Sequence, residues 1–186
     1  IDTAISLNIG DEVSFRAKED RTSDQVLYYH YFYFEMTGKI EAWHNVMSLY
    51  RKTDFATYES VVKFAFYQMF KDCRSLTKAP ALPATTLASG CYWDMFCGCE
   101  SLTKAPALPA TTFPVECSKG MFIRCKSLKE VRISATTTAM GALTNWLKDV
   151  SATGDFYCDP NATIFPSGAS GIPENWVRHD IADYPN

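Results

Sequence analysis

The chain has 186 residues, 47% hydrophobic and 14% aromatic, with a formal net charge of −3. That is ample apolar content for a core, and the acidic balance excludes nucleic acid as a partner, since a phosphate backbone wants a basic stripe. There is no transmembrane segment, because no apolar run approaches the roughly 18 residues needed to cross a bilayer. The chain opens Ile1-Asp2-Thr3 without an initiator Met, so the missing leader says nothing about compartment.

Residues 1–45 read as a small β-rich N-terminal cap. Ile5, Leu7 and Ile9 alternate, Gly10-Asp11 can turn, and Val13 and Phe15 alternate again, which is a hairpin pattern. A second pair runs from Val26 to Phe34 and, after Thr37-Gly38, from Lys39 to Trp43. Within it, alternation puts Tyr29, Tyr31 and Tyr33 on one face. That face is a candidate sugar-stacking platform, or else it is covered by the cap's own hairpins and the first coil.

Residues 46–150 read as leucine-rich-repeat-like coils, clear over 64–137. Met69-Phe70, Met95-Phe96 and Met121-Phe122 set a period of 26, and Cys73, Cys99 and Cys125 follow in step. The run Ser75–Thr86 recurs letter for letter as Ser101–Thr112, the signature of a stacked array. Because the cysteines repeat with the unit, they are expected to be buried thiols rather than disulfides. Val46-Met47-Ser48-Leu49 with Phe55, and Trp146-Leu147-Lys148-Asp149-Val150, read as worn terminal copies, the second after one residue is lost beyond Ile133.

Leu128-Lys129-Glu130-Val131-Arg132-Ile133 gives the strand pattern L-x-x-V-x-I. Val131 and Ile133 should point inward and Glu130 and Arg132 outward. The same register predicts inward Ala79, Ala81, Ala105 and Ala107, with outward Lys78, Pro80, Lys104 and Pro106. Proline donates no ladder bond, so the sheet is expected to be thin and interrupted. The other half of each coil reads as a short helix, because Leu87, Cys91 and Met95 stand four apart, as do Phe113, Cys117 and Met121. Thr86 and Thr112 are placed as N-caps, Pro114 as an early helical proline and Gly98 as a stop. The expected fold is thus an α/β repeat solenoid, a short array with its β-rich cap. Residues 151–186, rich in Gly and Pro, read as a C-terminal strand and loops closing on Trp176.

The Met-Phe-x-x-Cys-x-Ser-Leu unit with its Ala-Pro-Ala-Leu-Pro-Ala-Thr-Thr run resembles the BspA-like (bacterial surface protein A-like) leucine-rich repeats. The resemblance covers about residues 64–150. More loosely, Leu7–Val13, Thr37–Ile40, Val46–Leu49 and Gly171–Trp176 resemble the flanks of such proteins. It implies a secreted or envelope-anchored location and a role in adhesion or host interaction. It implies no enzyme activity and supplies no ligand-binding motif.

The outward ladder Lys78, Lys104 and Glu130, with Pro80, Pro106 and Arg132 beside it, is the candidate recognition surface; the plain alternative is a solvated sheet face. Cys97-Gly98-Cys99 raises a metal or redox pair, but Cys99 belongs to the repeat, and His30, His44 and His179 are scattered rather than set at ligand spacing. A cysteine nucleophile needs a base brought near by long-range folding, and no phosphate-binding loop or nucleophile elbow is present. Asn161-Ala162-Thr163 matches a glycosylation sequon and reads as an exposed loop. The reading is a non-enzymatic surface or secreted protein that takes no cofactor and binds a host or neighbouring-cell macromolecule, protein before glycan. The alternatives are a structural spacer within a longer envelope protein and, third, a hydrolase.

Overall fold

The computed structural model describes residues 40–42, 45–49, 54 and 56–185. Most of the expected N-terminal cap, including Tyr29, Tyr31 and Tyr33, lies outside the described residues. The strands in chain order are β1 (Ile40–Glu41), β2 (Leu76–Lys78), β3 (Thr112–Phe113), β4 (Glu130–Arg132), β5 (Thr137–Thr138), β6 (Gly154–Cys158) and β7 (Trp176–Asp180). They pair in parallel as β1–β2, β3–β5 and a three-stranded sheet β4–β6–β7.

This corrects the α/β repeat solenoid expected from the sequence. Among the described residues there is no α-helix; the only helical turns are 3-10 turns at Val46–Leu49 and Ile181–Asp183. The strands make only these small parallel sheets.

The segment expected to be helical is a run of tight turns. The N–H groups of Cys91, Trp93, Met95, Cys97 and Cys99 each donate to the carbonyl three residues back. The alternate amides leave the segment altogether. Gly90, Tyr92, Asp94, Phe96 and Gly98 donate to Val115, Cys117, Lys119, Met121 and Ile123 of the following unit, at 2.7–3.2 Å. An α-helix would send every N–H to the residue four back. Here half are satisfied locally and half by the neighbour.

The turns need a left-handed residue at every fourth position. Gly90 (φ 64°), Asp94 (φ 51°) and Gly98 (φ 77°) supply it, and so do Phe64, Gln68 and Asp72 one unit earlier and Glu116, Gly120 and Arg124 one unit later. Two adjacent residues in each four are then buried: Cys91 and Tyr92, Met95 and Phe96. A four-residue apolar spacing therefore arises without a helix. Thr112 consequently lies in β3 opposite Thr137, and Thr86 bridges Ser60, so neither caps a helix. Gly98 is the last residue of the continuous turn run, so it ends turns and not a helix.

Successive units meet through equivalent side chains. The rings of Phe70 and Phe96 stack with centroids 5.4 Å apart, and those of Phe96 and Phe122 at 5.7 Å, both pairs nearly parallel. Trp146, Phe156 and Phe165 continue the row at 6.4, 5.9 and 5.1 Å. Leu76, Leu102 and Leu128 form a second row, and all of these residues are buried. Offset aromatic contacts add about 0.5–1.5 kcal/mol per pair beyond their burial.

The strand register needs one correction. Val131 and Ile133 are fully buried while Glu130 and Arg132 are partly exposed, as expected. However, Lys104 bridges Glu130 whereas Leu108 bridges Ile133. The residue lost between these units therefore falls inside the strand, between Glu130 and Ile133, and not after it. As a result Leu82 and Leu108 point inward, Ala81 and Ala107 are exposed, and Pro80 is buried. Ala105 is buried and Ala79 half-buried. The prolines leave these stretches as isolated bridges because they cannot donate.

Candidate functional site

The outer face of the β4–β6–β7 sheet gathers the polar and aromatic groups. Register places Glu130 beside Asp155, and Arg132 beside Tyr157 beside His179. Alternation then puts all of these on one face, opposite buried Val131, Phe156 and Cys158. The sequence gives this directly: Gly154-Asp155-Phe156-Tyr157-Cys158 alternates polar and apolar, as a half-buried strand requires.

Charge and ring contacts knit the face together. Lys104 Nζ lies 2.8 Å from Glu130 Oε1. The Tyr184 hydroxyl donates to that same carboxylate oxygen at 2.5 Å. Lys104 Nζ and the Arg132 guanidinium sit over the Tyr184 ring, 4.8 and 4.6 Å from its centroid. Tyr157 meets that ring edge-on at 4.9 Å, and stacks on His179 with centroids 4.8 Å apart. His179 Nε2 is 2.7 Å from Asp155 Oδ1.

These contacts move proton affinities. The bond to Glu130 holds the Lys104 ammonium above its ordinary range, with Tyr184 adding to the effect. Burial raises the Tyr184 phenol, helped by the bond to Glu130. Burial raises Tyr157 too, with the Asp155 and Glu130 charges adding.

Of the candidates read from the sequence, Lys104, Glu130 and Arg132 are brought together. Lys78 is exposed but lies in the separate β1–β2 sheet. Pro80 is buried and so is not part of an accessible face, which corrects its placement; Pro106 is half-buried. Sequence reasoning missed Asp155, Tyr157, His179 and Tyr184. Asp155 and Tyr157 were within reach, because each follows its β4 neighbour by 25 residues. No spacing signals Tyr184, which arrives through the 3-10 turn after β7.

All seven cysteines are thiols, and all are buried. Cys99 Sγ donates to the Phe70 carbonyl at 3.0 Å and Cys125 Sγ to the Phe96 carbonyl at 3.1 Å, one unit back in each case. Burial pushes both thiols well up, the reverse of what a nucleophile or metal ligand needs. Cys97 lies 3.8 Å from Arg124 Nη2, yet burial still raises it. Among the described residues no group of three or more His, Cys, Asp or Glu could hold a metal ion. Nor is any helix among them long and apolar enough to cross a membrane.

Comparison of the chain with family models, with curated proteins and with solved structures gave no match.

Proposed function

We propose that this chain is a non-enzymatic, secreted or surface-displayed binding protein whose β4–β6–β7 face engages a macromolecule of a host or neighbouring cell, protein before glycan. The observation that carries this is the convergence of Lys104, Glu130, Arg132 and Tyr157 on the outer face of strands whose inner face is fixed by the core, all four gathered round the Tyr184 ring. Arg and Tyr, held rigid at low entropic cost, are the residue types that dominate protein-binding hot spots. The acidic and basic groups are interleaved, which suits a mixed-charge protein surface better than a polyanion. Secretion or surface display is supported by the likeness of the 26-residue unit to BspA-like repeats.

An array of extracellular-matrix proteins and glycans, probed with wild type and with the Lys104→Glu/Arg132→Glu double variant, tests this reading. Binding to protein spots should fall at least about tenfold in the variant, as expected when hot-spot cations are reversed. Equal binding by both would remove the face from consideration.

The spacer alternative draws on the continuous ring row from Phe70 to Phe165, which couples the units along their length. It predicts no binding by either protein.

A further inference from the structure

Tyr184 reaches the strand face by an unusual route. Asp180 ends β7, and its carboxylate accepts the Ala182 N–H at 2.9 Å, capping the turn Ile181–Asp183. The Tyr184 N–H closes that turn on the Ile181 carbonyl at 3.3 Å. The chain thereby folds back from the edge strand β7 and lays the Tyr184 ring against β4, which lies beyond β6. Ala182, Asp183 and Pro185 are exposed around it. The Tyr184 residue between them is half-buried.

What receives the ring comes from three separate parts of the chain. Lys104 and Arg132 place cations over it, Tyr157 offers an edge-on ring, and Glu130 accepts its hydroxyl. Each contact uses a different property of a phenol: the negative π face for the cations, the ring edge for the aromatic neighbour, and the acidic O–H for a carboxylate. A sugar offers no such π face. The receiving groups stand on or beside paired strands, whereas the ring is delivered by a short exposed turn.

We propose that this cradle is a subsite for a tyrosine side chain of an extended partner polypeptide, and that Tyr184 occupies it in cis until the partner displaces it. The inference rests on the strand-face reading for the identity of the recognition surface, but the cradle's preference for a phenol is separable from it. Occupation in cis lowers the apparent affinity by the fraction of time the cradle is filled, so releasing Tyr184 should tighten binding.

The test uses the full chain with Tyr184→Ala, titrated with p-cresol and followed by NMR at Tyr157 and His179. Saturable binding is expected at a concentration at least about tenfold below that needed by wild type, and it should be lost again when Glu130→Gln is added. In wild type, excess p-cresol should also shift the Tyr184 ring signals toward those of an unfolded tyrosine, a readout that holds even where the Ala variant folds poorly. Binding of p-cresol no better in the variant than in wild type, or unchanged Tyr184 signals in wild type, overturns the proposal. Equal binding of methyl β-galactoside overturns it too. A partner lost on Lys104/Arg132 reversal without any p-cresol binding would leave the face intact and sink the cradle. The opposite pair of results would sink the face and keep the cradle.

Discussion

Arg124 reaches across Gly98 to Asp72: its Nη2 lies 3.1 Å from the Asp72 Oδ1, though 52 residues separate the two. The three positions are equivalents in successive units, and all are left-handed. A Cβ on Gly98 would stand 2.3 Å from the same carboxylate oxygen. Gly98→Ala is therefore expected to cost about 2 kcal/mol through backbone strain and crowding. Asp72→Ala alone should cost under about 1 kcal/mol, since the pair is half exposed. Urea unfolding of the double variant should show less than the sum of the two. Strict additivity would contradict the crowding.

The ring row makes Phe96 a costly truncation. It is fully buried between Phe70 and Phe122. Phe96→Ala should lose about 3–5 kcal/mol and Phe96→Leu clearly less, measured by denaturant midpoint at constant slope. A loss under about 1 kcal/mol for the alanine variant would mean the rings do not carry the core.

Tyr92 should behave in the opposite way. Its hydroxyl is buried with no hydrogen-bond partner, while its ring stacks on Phe66 at 6.0 Å. Tyr92→Phe keeps the ring and deletes the orphan, so stability should hold or rise by up to about 1 kcal/mol. A fall of more than about 1 kcal/mol, read by thermal unfolding, would show that the hydroxyl is satisfied.

The buried thiols set an alkaline limit. Burial raises Cys91, Cys99 and Cys125 above their ordinary value of 9.0. The folded chain thus holds protons that the unfolded chain releases, and the stabilisation is complete below pH 9.0 and lost as pH rises toward the folded values. Lys104 and Tyr184, also raised, act in the same direction from pH 10.5 and 10.0 upward. Denaturant midpoints should fall steadily above pH 9, and Cys99→Ala/Cys125→Ala should flatten that fall. Ellman titration should find few reactive thiols in the native chain and seven after denaturation, in line with seven buried cysteines.

What the sequence made legible was the period, and with it which residues are equivalent. The rows Phe70–Phe96–Phe122 and Leu76–Leu102–Leu128 follow from spacing alone. What it hid was how the backbone between them is satisfied. An apolar residue at every fourth position suits a helix face, but it equally suits turns with a left-handed residue at every fourth place. Single-sequence pattern does not separate the two when Asp72, Asp94 and Arg124 take that conformation alongside glycine. The strand face was half legible. Lys104, Glu130 and Arg132 follow from alternation, whereas Pro80 and Ala81 were misplaced because the unit ending at Ile133 drops a residue within its strand. Tyr184 depends on the turn after β7 folding back toward β4, which no local pattern encodes.

Alternate amides of the turn runs bond to the neighbouring unit, and Phe96 reports on this most directly. Its N–H points at the Met121 carbonyl at 2.9 Å, while a helix would direct it to Tyr92. Scalar coupling across hydrogen bonds, measured by NMR on labelled protein, identifies the acceptor. A coupling from the Phe96 nitrogen to the Met121 carbonyl carbon is expected. A coupling to the Tyr92 carbonyl carbon instead would restore the helix and contradict the bond to the neighbouring unit.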